Sequence, residues 1–172
     1  METYPDKISV LKILEQTMAD GPGLRISIYC AGCLHACKGC HNPQSWDIAN
    51  GNWMTIDEIM DIIVKDEFSN VSFSGGDPFY QVEAFTELAR RIKTETKKTI
   101  WCWTGFLLEE IQADERLSKL LPYLDVLVDG PFILEQRDTH LHFRGSPNQR
   151  IIYLTPKEDD VIPGTVDIIP FR

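Results

Sequence analysis

Val71-Ser72-Phe73-Ser74-Gly75-Gly76-Asp77-Pro78 is the stretch on which the fold turns. Its first four residues predict a short strand. Gly75-Gly76-Asp77-Pro78 then ends that strand and turns the chain toward a helix. The helix runs from about Gln81 to Lys93, with Val82, Phe85, Leu88, Ala89 and Ile92 as its buried stripe. Thr99 to Trp103, rich in β-branched and aromatic residues, is the next strand. A strand, a helix of ten or more residues and another strand make a βαβ unit, and such units build parallel sheets.

The alternation extends in both directions. Arg25-Ile26-Ser27-Ile28-Tyr29 alternates as a strand and leads into a cluster of cysteines. Thr55 is an N-cap with Glu58 three residues on, a capping box, and Ile56, Ile59, Met60 and Ile63 share the helical face that follows. Thr104-Gly105 breaks the strand at Trp103. A helix carrying Leu107, Leu108, Ile111, Leu117, Leu120 and Leu121 then runs to Pro122. Val126-Leu127-Val128 is a buried strand stopped by Asp129-Gly130-Pro131, and Arg150 to Leu154 forms a further strand. Residues 1–172 read as one α/β domain with a mostly parallel sheet. A closed eight-fold barrel needs about 250 residues, so an open, partial (β/α) barrel is expected. Ligands in open parallel sheets sit beyond the carboxyl ends of the strands. Those ends carry Cys30 onward, Gly75-Gly76-Asp77, Thr104-Gly105 and Asp129-Gly130, so the candidate functional groups share one edge.

Composition narrows the function. Hydrophobic residues make up 43% of the chain and charged residues 25%, a globular balance. The formal net charge is −9, and the Lys-Arg runs (Arg90, Arg91, Lys93; Lys97, Lys98) are short. That balance argues against nucleic-acid binding, which needs clustered cations. No stretch approaches the roughly 20 apolar residues of a membrane span, and Met1 to Lys12 has no apolar signal core. A cytoplasmic protein is expected. Four of the five cysteines crowd between Cys30 and Cys40, unlike a secreted disulfide framework.

The cysteine spacing is Cys30-x2-Cys33-x3-Cys37-x2-Cys40. Four thiolates at this spacing close a zinc site or hold an iron–sulfur cluster. Zinc ribbons separate their two arms by roughly 15–20 residues, whereas these arms belong to one tight loop. Cys102, between Trp101 and Trp103, reads as a core residue.

Cys33-Leu34-His35-Ala36-Cys37-Lys38-Gly39-Cys40 resembles the Cys-x3-Cys-x2-Cys signature of radical S-adenosylmethionine enzymes. More closely, the chain resembles anaerobic ribonucleoside-triphosphate reductase-activating proteins. The further shared blocks are Asp20-Gly21-Pro22-Gly23-Leu24-Arg25, Phe73 to Pro78, Trp101 to Gly105, Asp125 to Gly130, Phe143 to Ser146 and Asn148-Gln149-Arg150. They run in the same order from about residue 8 to 154.

The resemblance implies a 4Fe–4S cluster on Cys33, Cys37 and Cys40, with the fourth iron open to S-adenosylmethionine. It implies no catalytic side chain beyond the cluster. Cys30 is then either a buried strand-end residue or a transient fourth ligand. Gly39 before the last cysteine is usual in this branch. His41 stands where the branch often has Tyr; it either meets the adenine edge or is an ordinary surface histidine. Gly75-Gly76-Asp77 resembles a Gly-Gly-Glu-type segment that binds the methionine amine, with Asp77 beside it. Thr104 and Asp129 are implied near the ribose or methionine carboxylate, or else cap turns.

The implied partners are the large subunit of the anaerobic reductase, on which a glycyl radical is installed, and reduced flavodoxin or a similar electron donor. Asp20 to Gly23 and Arg144 to Arg150 combine turn formers with polar groups and are expected to form a docking rim. The alternatives are an activase of another glycyl-radical enzyme, of the formate-lyase type, and a non-catalytic zinc-binding module. A single cysteine cluster argues against the inserted ferredoxin-like modules that other activases often carry.

Overall fold

The computed structural model describes residues 1–155 and, as backbone, residues 166–168. Its strands are β1 (Lys7–Thr17), β2 (Arg25–Cys30), β3 (Asn52–Thr55), β4 (Asn70–Gly75), β5 (Ile100–Trp103), β6 (Val126–Asp129), β7 (Arg150–Tyr153) and β8 (Val166–Ile168). Three α-helices interleave: α1 (Ile56–Lys65), α2 (Val82–Glu95) and α3 (Leu108–Ala113). One eight-stranded sheet has the order β3-β1-β2-β4-β5-β6-β7-β8, and no pairing joins its edge strands among the described residues.

The centre of the sheet is the parallel set β2-β4-β5-β6. Its outer strands differ from the expectation. β1 runs antiparallel to both β2 and β3, and β7 runs antiparallel to β6, while β8 is parallel to β7. Four pairings are therefore parallel and three antiparallel. β1 and β3 were not legible as strands. Only Ile8, Ser9 and Val10 of β1 are buried, and β3 has no buried residue, so neither carries a sustained apolar alternation.

The period of two sorts the sheet residues onto its faces. Ile26, Ile28 and Cys30 of β2, Val71 and Phe73 of β4, and Ile100 and Cys102 of β5 pack with the helices in the main core. Trp101, Val126, Val128, Ile151 and Tyr153 form a second cluster, with Trp103 and Phe143 against it. Arg25 is buried beside that cluster. Its Nε donates to Ser72 Oγ at 2.6 Å, one terminal nitrogen donates to Val71 O at 2.7 Å, and its guanidinium lies 5.7 Å from the Trp101 ring centroid. A cation at this depth is held by these acceptors and by the ring face.

The capping box at α1 forms as expected: Glu58 N–H donates to Thr55 Oγ1 at 3.2 Å, and Thr55 N–H donates to Glu58 Oε2 at 2.7 Å. The helix expected from Leu107 to Leu121 is instead two pieces, α3 and a 3-10 helix, Leu117–Tyr123, with Pro122 inside it. Asp114 makes the break. It is extended, and its carboxylate accepts from the backbone N–H groups of Arg116 and Leu117 at 2.8 and 2.9 Å, which starts a new turn.

Candidate functional site

The four central strands place their carboxyl ends side by side, and the cysteine loop leaves β2 there. Residues 31–40 form no helix or strand, so their backbone groups find partners elsewhere. Gly76 N–H donates to Cys30 O at 2.7 Å, and Asp77 N–H donates to Gly32 O at 2.9 Å. Gly32 N–H and Cys33 N–H donate to the carbonyls of Ser45 and Trp46 at 2.7 and 3.1 Å. Gln81 is fully buried; its amide donates to Ala31 O at 2.8 Å and accepts from Ser9 N–H at 2.8 Å, tying β1 to the loop. At the far end, Cys40 N–H donates to Cys37 O at 3.0 Å across a turn in which Gly39 has φ +74. A side chain at Gly39 is disfavoured both by that φ and by Leu134 Cδ1, 2.7 Å from a built Cβ.

Cys33, Cys37 and Cys40 are half-buried and free of disulfides. Burial pushes the Cys33 thiol up to about 11, with the charges of Asp77, Cys37 and Cys40 adding to it and a backbone hydrogen bond from His35 working against it. Asn42 N–H donates to Cys40 Sγ at 3.4 Å. Among the described residues, no three His, Cys, Asp or Glu side chains close on one ion position. The donor chemistry is nonetheless that of soft metal centres: three thiols on one loop, two of them receiving backbone N–H groups, as cluster sulfurs do. Cys30 and Cys102 are fully buried in the main core, and burial pushes both thiols well up. They pack as small apolar residues.

Asp77 sits at the focus of the strand ends and is 1% exposed. Its Oδ1 accepts from Phe79 N–H at 3.0 Å, which starts a 3-10 turn at Pro78–Gln81. Its Oδ2 accepts from Thr104 Oγ1 at 2.8 Å and Gly105 N–H at 2.9 Å, and lies 2.7 Å from His35 Nε2. Both carboxylate oxygens are thus engaged inside the protein. Gly75 (φ +105) and Gly76 lie against the loop: a Cβ on Gly75 would meet Cys30 N at 2.4 Å, and one on Gly76 would meet Gly32 O at 2.6 Å.

Thr104 is buried and serves Asp77 from β5. Asp129 is fully buried at the end of β6, where it accepts from Leu108 N–H at 2.8 Å and pairs with Arg150, the residue opposite it on β7. His41 is exposed. The Arg144–Arg150 block folds on itself and onto the end of β6: Gly145 N–H donates to Gln149 Oε1 at 2.8 Å, and Gln149 Nε2 donates to Gly130 O at 3.1 Å. The Asp20–Gly23 turn enters β2 from its amino end. Ser72 Oγ donates to Asp20 O at 2.6 Å, and Tyr29 donates its hydroxyl hydrogen to the Asp20 carboxylate.

His35 was not singled out from the sequence. Its ring packs edge-on against Phe106 and Tyr80, with centroids 4.6 and 5.4 Å away, besides reaching Asp77. The available signal was its place between two cysteines of the Cys-x3-Cys arm.

The chain is similar to known proteins over most of its length. Residues 19–152 match a family model described as a 4Fe-4S single cluster domain. An anaerobic ribonucleoside-triphosphate reductase-activating protein of Vibrio cholerae is 43% identical over 143 residues, covering 78% of this chain and 90% of that one. Proteins of the same name from Haemophilus influenzae and Escherichia coli (strain K12) are 37% and 35% identical. They cover 84% and 80% of this chain, and 97% and 93% of their own. The chain belongs to the family of anaerobic ribonucleoside-triphosphate reductase-activating proteins.

Proposed function

We propose that this protein is a radical S-adenosylmethionine activase that installs a glycyl radical on an anaerobic ribonucleoside-triphosphate reductase. The observation that carries the reading is the loop of three half-buried thiols, Cys33, Cys37 and Cys40, at the shared carboxyl edge of β2, β4 and β5. Those cysteines hold the 4Fe–4S cluster, in keeping with the single-cluster family model that spans them. A cluster held there would supply the electron for reductive cleavage of S-adenosylmethionine, the chemistry needed to take hydrogen from a glycine Cα of the reductase.

The chain's own residues orient and enclose. Gly75 and Gly76 keep the end of β4 free of side chains, so backbone can approach the methionine moiety. Asp77 fixes the loop beside the methionine amine, its carboxylate engaged by Phe79, Thr104, Gly105 and His35. Thr104 and Asp129 shape the neighbouring strand ends toward the ribose and carboxylate, and His41, exposed beside Cys40, lies within the loop's reach of the adenine edge. Arg144 to Arg150 form the rim on which the reductase docks, and Asp20 to Gly23 contribute to it through Asp20, whose carboxylate accepts from Tyr29 near the carboxyl end of β2. A reduced flavodoxin or a similar carrier delivers the electron. No described helix is long and apolar enough to cross a membrane. The free, crowded thiols fit a reducing cytoplasm.

The test mixes reduced, reconstituted protein anaerobically with S-adenosylmethionine and the large reductase subunit. A doublet glycyl-radical EPR signal on the reductase is expected, lost when its glycine is replaced by alanine and lost with Cys37→Ala of this chain. Turnover of a free small molecule, with no radical on the reductase, would overturn the reading.

A further inference from the structure

We propose that His35 is a positioning residue that couples the cysteine loop to the segment receiving S-adenosylmethionine, through its contact with Asp77. The inference rests on the function proposed above.

His35 touches both sides of the site. Its backbone hydrogen-bonds the Cys33 thiol, inside the loop. Its ring nitrogen Nε2 lies 2.7 Å from Asp77 Oδ2, 42 residues away in sequence and directly after Gly75-Gly76. The ring is confined. A Cβ built on Gly105 would stand 2.5 Å from His35 Cδ2, so Gly105 leaves room for it, and Phe106 and Tyr80 hold its other sides. On the Asp77 side, the same oxygen takes Thr104 Oγ1 and Gly105 N–H. One carboxylate oxygen thus joins the cysteine loop, the end of β4 and the end of β5. Elsewhere, backbone hydrogen bonds tie residues 76–77 to the start of the loop, at Cys30 and Gly32, Leu34 N–H reaches the Tyr80 hydroxyl, and Asn42 Nδ2 donates to Gly75 O at 3.4 Å beyond the last cysteine. The His35 contact is the tie from its middle to the Asp77 carboxylate. Without it, the glycine segment and the cysteine thiols are joined only through the ends of the loop, and their relation is held less firmly. A cofactor that bridges both is then bound less well, because it must pay the ordering entropy itself.

The experiment follows the EPR spectrum of the reduced, reconstituted cluster as S-adenosylmethionine is added, with iron content and thermal melting measured on the same samples. His35→Ala is expected to load iron and to raise the half-saturating S-adenosylmethionine concentration about tenfold, equivalent to about 1.4 kcal/mol. His35→Gln, whose amide reaches toward Asp77, is expected to return it to within about threefold of wild type. Wild-type half-saturation in a folded, iron-loaded His35→Ala protein overturns the proposal. If His35→Ala takes up no iron, His35→Gln decides alone: near-wild-type binding supports the coupling, and tenfold weaker binding overturns it. Failure of both variants to load iron also overturns it, since the residue would then serve the thiols only. A wild-type spectrum that does not respond to S-adenosylmethionine is a different outcome: it overturns the proposed function, and this inference with it.

Discussion

At the scale of single residues, Gly76 is the most exacting position of the site. A Cβ there would meet Gly32 O at 2.6 Å, with Ser45 O at 3.0 Å, and both are backbone atoms that cannot rotate away. The cost of a side chain is therefore space taken from the cysteine loop. Gly76→Val is expected to lower stability by about 1–3 kcal/mol, the usual range for overpacking. It should also weaken S-adenosylmethionine binding at least tenfold, as read by melting and equilibrium binding on reconstituted protein. Unchanged values in both would place the loop elsewhere. Glu109 offers a pH test. Its hydrogen bond from Arg150 holds its carboxyl down to about 2. A depressed carboxyl stabilises the fold above the ordinary carboxylate range and loses that contribution as pH falls toward 2. The stability difference between wild type and Glu109→Gln should thus be level above pH about 5 and shrink on acidification; because the pair is largely exposed, it should also be small and salt-sensitive. The cysteine spacing was legible because three thiols of one loop are a local pattern. The contact of His35 with Asp77 was not, because it depends on how β2 and β4 are registered.

Among the elements, the central strands, α1 and α2 announced themselves through apolar alternation and caps, and the ends of those strands and of α2 were found to within about two residues, whereas α3 was expected to run on through the 3-10 helix that follows it. β1 was missed for a physical reason: beyond Val10 it lies largely exposed along β2, so burial imposes no pattern on its side chains. What fixes β1 to the site is Gln81, a polar side chain sealed in the interior. Gln81→Leu leaves the Ser9 N–H and Ala31 carbonyl without that partner. An unmade buried hydrogen bond costs about 1–3 kcal/mol per group. A loss of at least about 2 kcal/mol is expected in denaturant midpoints, and a loss under 0.5 kcal/mol would mean water replaces the amide at little cost, on the same scale.

For the molecule as a whole, the parallel centre of the sheet was the legible part, and it brings the candidate groups together at the carboxyl ends of its strands. The antiparallel flanks were not legible, since nothing in a short apolar run such as Arg150 to Leu154 states its direction. The sheet also sorts the five cysteines by depth: three half-buried on the loop, two sealed in the main core. That sorting makes the protein its own counter. A thiol-alkylating reagent added to the native apoprotein should attach three labels quickly and the remaining two only after unfolding. If the three loop thiols hold the cluster as proposed, the three fast labels should vanish together on its assembly. Intact mass then reports what fraction of molecules carries the cluster, without a colour or a catalytic assay. Five fast labels on the folded apoprotein would contradict the depth assigned to Cys30 and Cys102.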